Sequence, residues 1–235
     1  MAYSSLVFNW EIPGENEINT FDELRFPIKF YQTPDKSALY FAFQYILERS
    51  KESAYGGFQP TEPEGSEPHY FQYIFSSFMS DIRDYDKNSC HLGADGGDGC
   101  TCKIVKPADI RTWYSLRVRA ETKYNQNYDY YIGSIINDDT GVTLIRIGMW
   151  AVDKDKGGLF KNSYTGFIEP YFDNPINDRH ISDVLYGIPK GYRDGKEYIG
   201  KPISNCVVRD ESELSYNITY NDNGTVRIKS SPKNK

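Results

Sequence analysis

The segment from Asp81 to Cys102 concentrates the residue types that bind hard metal ions. It contains five Asp and four Gly. Ca²⁺ takes about six to eight oxygen ligands in irregular geometry, which carboxylates on a flexible backbone can supply. The composition therefore predicts a calcium site, although the spacing is not that of an EF-hand. A solvated turn capped by its own Asp side chains is the alternative. The predicted calcium ligands are Asp84, Asp86, Asp95 and Asp98.

The chain has four cysteines, Cys90, Cys100, Cys102 and Cys206. Four cysteines allow three pairings. Cys100 and Cys102 would share one face of a strand, which disfavours a bond between them. We expect Cys90 to pair with one of these two and Cys206 to pair with the other. Four reduced thiols are one alternative, and a zinc site that adds His91 to Cys90, Cys100 and Cys102 is another.

Aromatic residues make up 15% of the chain, and 20 of them are Tyr. Aromatic rings stack on the C–H faces of sugars, while carboxylates, amides and Arg bind sugar hydroxyls. A few polar groups among apolar walls are typical of ligand pockets. For each aromatic, core or cross-strand packing is the alternative. The predicted ligand-binding residues are Trp113, Arg117, Tyr124, Asn127, Tyr128, Tyr130 and Glu169.

No nucleophile or metalloprotease motif surrounds the three histidines, His69, His91 and His180. The best single acid for catalysis is Glu169, because it lies in an aromatic strand pattern, Phe-Ile-Glu-Pro-Tyr. A buried Glu paired with an Arg is the alternative. A carbohydrate-active enzyme would need a cleft that holds Glu169, or a His, beside a Tyr and an Arg. No catalytic residue is assigned from the sequence.

Strict alternation of apolar and polar residues predicts strands over 24–31, 112–120, 128–136 and 142–150. Residues 69–79 are apolar on both faces and predict a central strand. Leu214–Tyr220 and Thr225–Lys229 flank Asn221–Gly224 and predict a hairpin. Helix signals are few: a capping box at Thr20–Glu23 and a short helix over Asn177–Leu185. The pattern predicts an all-β, jelly-roll-like antiparallel β-sandwich. Residues 1–229 would form a single domain that ends in the hairpin 214–229, followed by a disordered tail over 230–235.

The net charge is −6 and no basic block precedes the short Lys-rich tail. This composition argues against a nucleic-acid partner. No run approaches about 18 apolar residues, so no transmembrane segment is expected. No signal peptide is visible, so the protein is made without one or has lost it. The cysteines and the sequons at Asn217 and Asn223 favour secretion to the extracellular space and glycosylation. We expect a monomer or a homodimer.

Four short motifs occur in a fixed order: Gly56-Gly57-Phe58-Gln59, Ile74-Phe75-Ser76-Ser77-Phe78, Gly96-Gly97-Asp98-Gly99 and Trp113-Tyr114-Ser115-Leu116-Arg117-Val118. Across 38–172 the chain thereby resembles an uncharacterised family of secreted β-sandwich domains. Its members, catalogued as a domain of unknown function, often occur alongside carbohydrate-related modules. Their acidic loop tends to read Gly-Gly-Glu-Gly, with Glu where this chain has Asp98. The resemblance implies a jelly-roll-like sandwich in an extracellular setting and brings no established activity.

The sequence as a whole predicts a secreted, non-enzymatic β-sandwich that recognises a glycan or another cell-surface ligand, assisted by calcium. A polysaccharide lyase or glycoside hydrolase on the same scaffold is the first alternative. A secreted toxin or defence protein with a receptor-binding sandwich is the second.

Overall fold

The computed structural model describes residues 6–15, 18–33, 39–61, 69–170, 180–209 and 214–233, and every regular element in them is a β-strand. The eight-stranded sheet contains, in spatial order, β18 (Ser204–Val208), β1 (Leu6–Glu11), β14 (Ser163–Pro170), β4 (Leu39–Ile46), β5 (Ser53–Thr61), β6 (Tyr70–Ser77), β9 (Gly97–Pro107) and β8 (Cys90–Ala94).

The ten-stranded sheet contains, in spatial order, β19 (Leu214–Tyr220), β20 (Val226–Pro232), β15 (Ser182–Tyr186), β3 (Glu23–Gln32), β10 (Trp113–Glu121), β11 (Tyr128–Asn137), β12 (Thr143–Asp153) and β7 (Ile82–Tyr85). The hairpin of β16 (Lys190–Arg193) and β17 (Lys196–Ile199) joins this sheet through β3. A separate two-stranded ribbon pairs β2 (Thr20–Phe21) with β13 (Phe160–Lys161). The described residues contain no helix that could cross a membrane.

The two large sheets pack face to face through aromatic side chains. Phe26 of β3 stacks on Phe43 of β4 at 4.6 Å between ring centroids, and Phe75 of β6 stacks on Trp150 of β12 at 5.3 Å. Both pairs belong to one continuous cluster of buried residues. The chain crosses repeatedly between the sheets, and neighbouring strands pair antiparallel. The predicted all-β, jelly-roll-like sandwich is therefore confirmed.

The strands predicted from alternation are present, and the apolar run Leu39–Ile46 is a further strand. The C-terminal hairpin is also confirmed. The proline within the predicted strand 24–31, Pro27, indicates a sheet edge or a bulge. The structure shows no edge there, because β3 lies between other strands. Pro27 occupies the point where β3 changes partner: Ile28 pairs with β15 and Arg25 pairs with β16. A proline, which has no N–H to donate, is tolerated at such a gap.

Strands occupy part of both segments that were predicted to be helical. Thr20–Phe21 is a strand, and Phe21 is fully buried. The two residues of the predicted capping box have other partners: the Thr20 hydroxyl accepts a hydrogen bond from Arg193 at 3.2 Å, and the Glu23 carboxylate accepts one from Arg25 at 2.6 Å. In the second segment Ser182–Tyr186 is strand β15, paired on both sides, and residues 177–179 lie outside the described part. Sheet pairing prevails over local helix signals at both places.

The predicted disordered tail begins too early. Strand β20 continues to Pro232. Ser230 is buried, lies 2.7 Å from the hydroxyl of Ser182 and donates to the carbonyl of His180 at 2.7 Å. These buried polar contacts hold residues 230–232 in the sheet. Residues 234–235 lie outside the described part of the chain.

One disulfide forms, between Cys90 and Cys102, as one of the predicted pairings required. The predicted bond between Cys206 and the remaining cysteine is wrong, because Cys100 and Cys206 are free thiols. Cys206 lies on β18 and Cys100 on β9, six strand positions apart in the eight-stranded sheet. At about 4.8 Å per strand they are separated by roughly 29 Å, far beyond the reach of a disulfide. Burial raises the pKa of the Cys100 thiol to about 11.

Glycines allow the sheets to approach where rings would otherwise collide. Gly133 on β11 faces Phe75 of the opposite sheet, and a Cβ at Gly133 would lie 2.3 Å from the Phe75 ring. Since Phe75 is itself stacked on Trp150, a shift of the Phe75 ring would disturb that contact. The absence of a side chain at this position is therefore a requirement of the packing between sheets.

We expect Gly133→Ala to lower the free energy of unfolding by about 1–3 kcal/mol, the usual cost of overpacking a core. Denaturant unfolding followed by Trp fluorescence measures this change. Gly97→Ala is the matched control, because the nearest atom to its added Cβ is 3.5 Å away. Equal stability of the Gly133→Ala and Gly97→Ala proteins would contradict the packing argument.

Candidate functional site

A second, smaller hydrophobic cluster lies on the outer face of the eight-stranded sheet. We call it the outer cluster; it consists of Tyr40, Ala42, Tyr55, Ile74, Phe78 and Phe167. Along β4 the odd-numbered aromatics point into the main core, whereas Tyr40 and Ala42 point outward. Tyr40 contacts Tyr55 at 6.1 Å and Phe167 at 5.9 Å between ring centroids, both edge to face.

Polar side chains adjoin the outer cluster. Glu169 on β14 lies directly opposite Tyr40 on β4 in the strand register. Tyr55 donates a hydrogen bond to the Asp95 carboxylate at 3.0 Å, although Asp95 belongs to the tip of the distant β8–β9 hairpin. On the neighbouring strands the Gln72 amide donates to the Gln59 side chain at 2.8 Å. The outer face thus combines aromatic rings with carboxylates and amides.

Glu169 is the carboxyl of this group whose pKa lies near neutral pH. Burial raises its pKa from 4.5 to about 7, the nearby Asp95 carboxylate raises it further, and Arg209 opposes the shift. Near neutral pH the carboxyl is therefore present in both protonation states. A group of this kind can donate or accept a proton in a reaction, and perturbed acids of this kind occur often at functional sites.

Tyr40 presents a hydroxyl that no described residue satisfies. The side chain is only 8% exposed. Burial, followed by the neighbouring Tyr55 and Asp95, raises the pKa of Tyr40 well above its usual value, so the phenol stays protonated. Tyr40 therefore holds a buried hydrogen-bond donor that has no partner among the described residues, which is a costly arrangement.

The structure does not bring the predicted ligand-binding residues together. Glu169 lies on the eight-stranded sheet, whereas Trp113 and Arg117 lie on β10 of the ten-stranded sheet. Arg117 donates to the Thr143 hydroxyl at 3.1 Å. Trp113 begins β10, and Tyr130 pairs with the last residue of that strand. At about 3.4 Å per residue this places them roughly 27 Å apart.

The predicted tyrosines form a small platform at the far end of the ten-stranded sheet. Tyr124 is 80% exposed and packs edge to face on Tyr130 at 5.4 Å. Tyr128 lies on the same face of β11 as Tyr130. In the preceding loop, the backbone N of Asn127 donates a hydrogen bond to the Asn125 side chain at 2.7 Å. The loop amides therefore stabilise their own turn, while the rings remain partly exposed.

The four predicted calcium ligands also lie apart. Asp84 and Asp86 adjoin β7 of the ten-stranded sheet, and Asp95 and Asp98 adjoin the β8–β9 hairpin of the other sheet. Asp84 accepts from the backbone N of Tyr85 at 2.9 Å, and Asp86 accepts from that of Asn88 at 3.1 Å. Within the described ranges, the metal-capable cluster consists of Cys90, Cys100 and Cys102 and includes none of these Asp residues. Asp84 and Asp86 thus each accept a hydrogen bond from a neighbouring backbone N–H group, and a calcium site at these residues stays a prediction.

The sequon residues Asn217 and Asn223 are both exposed, on β19 and in the turn that follows it. The Asn223 side chain accepts a hydrogen bond from the Thr225 hydroxyl at 2.7 Å. Glycosylation at these positions stays a prediction.

Sequence reasoning found Glu169 but missed Tyr40, Tyr55 and their contact with Asp95. The run Leu39–Ile46 is almost uniformly apolar, so its composition alone does not show which residues face outward. The available signal was the alternation within it: Phe41 and Phe43 on one face, and Tyr40 and Gln44 on the other. The contact with Asp95 depends on a hairpin about 40 residues away, which no local pattern specifies.

The fold defines an all-β antiparallel sandwich with a mixed aromatic and acidic outer face. No protein-family model matches the chain, and no curated protein matches it. Among solved structures the chain is similar to scytalido-glutamic peptidase with a peptide based transition state analog, with a TM-score of 0.46 and 11% sequence identity. The match covers 99% of this chain and 100% of that chain.

We expect Glu169 to make the protein less stable as the pH rises. The folded pKa is about 7 and the reference value is 4.5, so the folded state binds more protons between these values. Stability from this group is complete below about pH 4.5 and is lost as the pH rises through 7. Glu169→Gln should remove this loss, which amounts to roughly 1–3 kcal/mol.

Chemical unfolding of both proteins at a series of pH values from 4 to 8 measures the effect. Glu52→Gln, at an exposed carboxylate, is the control. If wild type and Glu169→Gln keep a constant stability difference across this range, the proton affinity assigned to Glu169 is wrong.

Proposed function

We propose that this protein is a secreted binding protein that recognises a glycan on the outer face of its eight-stranded sheet. The observation that carries the proposal is the outer cluster itself: aromatic rings on the face of the sheet that points away from the main core, directly beside Glu169 and Asp95. Tyr40 and Tyr55 are nearly buried in this cluster, and Phe167 is partly exposed. Outward-facing aromatics do not contribute to the core between the sheets. Their arrangement favours a ligand with both apolar and hydroxyl surfaces.

The chemistry of the outer face suits a sugar ring. The partly exposed ring of Phe167 offers apolar contact, and the nearly buried rings of Tyr40 and Tyr55 support it from beneath. The carboxyls of Glu169 and Asp95 are acceptors for sugar hydroxyls. Such a combination of apolar walls and a few polar groups is the usual design of small-ligand sites.

An extracellular location is part of the proposal. A disulfide between Cys90 and Cys102 is favoured in oxidising compartments and is uncommon in a reducing cytosol. The exposed sequons at Asn217 and Asn223 are compatible with the same location. The toxin or defence interpretation has no observation of its own among the described residues.

A glycan array followed by titration calorimetry tests the proposal. We expect Phe167→Ala to weaken binding of the selected oligosaccharide at least about tenfold, the scale expected when a central contact is removed. Each titration is performed once with calcium and once with a chelator. Weaker binding in the chelator would show that calcium assists binding of the oligosaccharide.

Tyr124→Ala is the matched control, because it removes an exposed aromatic from the tyrosine platform of the opposite sheet. Loss of binding in Tyr124→Ala with full binding in Phe167→Ala would place the ligand on that platform and refute the proposed site. Absence of binding to every oligosaccharide would refute glycan recognition.

Glycoside hydrolysis is a second candidate function, and the environment of Glu169 specifically favours it. A carboxyl with a pKa about 7 beside a second carboxylate resembles the acid and base pair of a glycosidase. In this mechanism the Glu169 carboxyl would donate its proton to the glycosidic oxygen as the bond to the sugar carbon breaks. The Asp95 carboxylate would activate water or attack the sugar carbon.

If the protein is a hydrolase, Glu169→Gln should reduce turnover by roughly 10²–10⁴-fold, the range for loss of a general acid. The amide keeps the shape of the side chain, so oligosaccharide binding should persist. Chromatography of a bound oligosaccharide after long incubation detects the products. An intact oligosaccharide in the wild-type reaction would leave binding as the function and exclude hydrolysis of that ligand.

A further inference from the structure

Three cysteines meet in the space between the sheets, on the face of the eight-stranded sheet opposite to the outer cluster. Cys90 lies on β8, and Cys100 and Cys102 lie on β9. Their sulfur atoms all lie within 4.8 Å of one another, and all three residues are buried. We call this group the cysteine trio. Two of its members form the disulfide, and Cys100 is a free thiol beside it.

The strand geometry produces the trio. Cys90 is paired with Cys102 across β8 and β9, and Cys100, two residues earlier, points to the same face of β9. The facing strand leaves room for the sulfurs because it carries Gly148. A Cβ at Gly148 would lie 2.6 Å from the Cys90 sulfur and 2.8 Å from the Cys102 sulfur. The trio is thus enclosed by the opposite sheet.

The dimensions of the trio match a metal ion bound by three sulfurs. Sulfurs bound about 2.3 Å from one ion in a plane lie about 4 Å from one another. Reduction would separate the bonded pair, and all three sulfurs already lie within 4.8 Å. The disulfide between Cys90 and Cys102 must be reduced before an ion can bind to all three sulfurs.

We propose that the reduced cysteine trio binds one copper(I) ion. Soft thiolate ligands select copper(I) and zinc among common metals. Structural zinc almost always has four ligands. The predicted fourth ligand, His91, is exposed, and β8 alternation directs it to the face opposite Cys90. The metal-capable group within the described ranges contains three residues only. A three-coordinate ion therefore fits better than zinc.

The chemistry balances in two steps. A dithiol reductant supplies two electrons and two protons, which convert the disulfide to two thiols. Copper(I) then binds the three sulfurs, and each thiol that becomes a thiolate releases one proton. The same three residues would hold a disulfide in oxidising surroundings and copper in reducing ones.

The test uses the full chain, reduced with a dithiol and freed of reductant without oxygen. It is titrated with copper(I) held by a chromophoric competitor. We expect transfer of one copper per chain and an ultraviolet thiolate-to-copper absorption. The unreduced protein should take up none. X-ray absorption of the copper-loaded protein should report coordination by sulfur alone.

Cys100→Ala should lower the copper affinity more than about tenfold, since even outer-shell changes at metal sites reach that scale. This variant keeps the disulfide cysteines, and circular dichroism verifies its fold. Cys206→Ala is the matched control, because that thiol lies on β18 at the other edge of the sheet. Unchanged copper affinity in Cys100→Ala, or equal losses in both variants, would overturn the proposal. So would a wild-type protein that takes no copper after reduction.

Discussion

Close packing of aromatic rings between the two sheets is the constraint on which the rest of the molecule depends. Rings of β3 and β4, and rings of β6 and β12, stack with 4.6 and 5.3 Å between their centroids, and several of these rings are completely buried. Each buried large side chain contributes about 1.5–3 kcal/mol relative to exposure. The sheets pack so closely that a Cβ at Gly133 would collide with the Phe75 ring, and a Cβ at Gly148 would collide with the Cys90 and Cys102 sulfurs. A change of strand register by one residue would turn the rings outward and disrupt the core.

The same alternation that buries one face of β4 determines what the other face presents. Because Phe41 and Phe43 are fixed in the core, Tyr40 between them is fixed on the outside. The core therefore holds the backbone beneath the outer cluster in place, and the side chains of the cluster need little further ordering when a ligand binds. Pre-ordered side chains reduce the entropic cost of binding. The β8–β9 hairpin adds Asp95 to this face through Tyr55, which makes the site depend on two distant parts of the chain.

The sequence predicts strands well because alternation reflects burial directly. Prediction from the sequence fails where the neighbouring strands determine whether a segment is a helix or a strand. Ser182–Tyr186 has neighbours on both sides that convert an apparent helix into a strand, and Pro27 occupies a change of partner rather than an edge. The disulfide was half predictable: spacing places Cys100 and Cys102 on one face, but only strand order shows how far Cys206 lies from them. Of the site, Glu169 was recognisable from its aromatic surroundings, whereas Trp113 and the tyrosine platform lie elsewhere.

The buried contact of Ser230 with Ser182 and His180 has a consequence for how two copies of the chain would interact. The hairpin of β19 and β20 joins the sheet through β15, and this contact anchors it there. Without the hairpin, β15 would present a row of unpaired backbone groups, the kind of edge that recruits a strand from another molecule. The hairpin of a second copy carries identical donors and acceptors and would fit this edge equally well. The hairpin thus covers β15 and moves the outer edge of the sheet to β19.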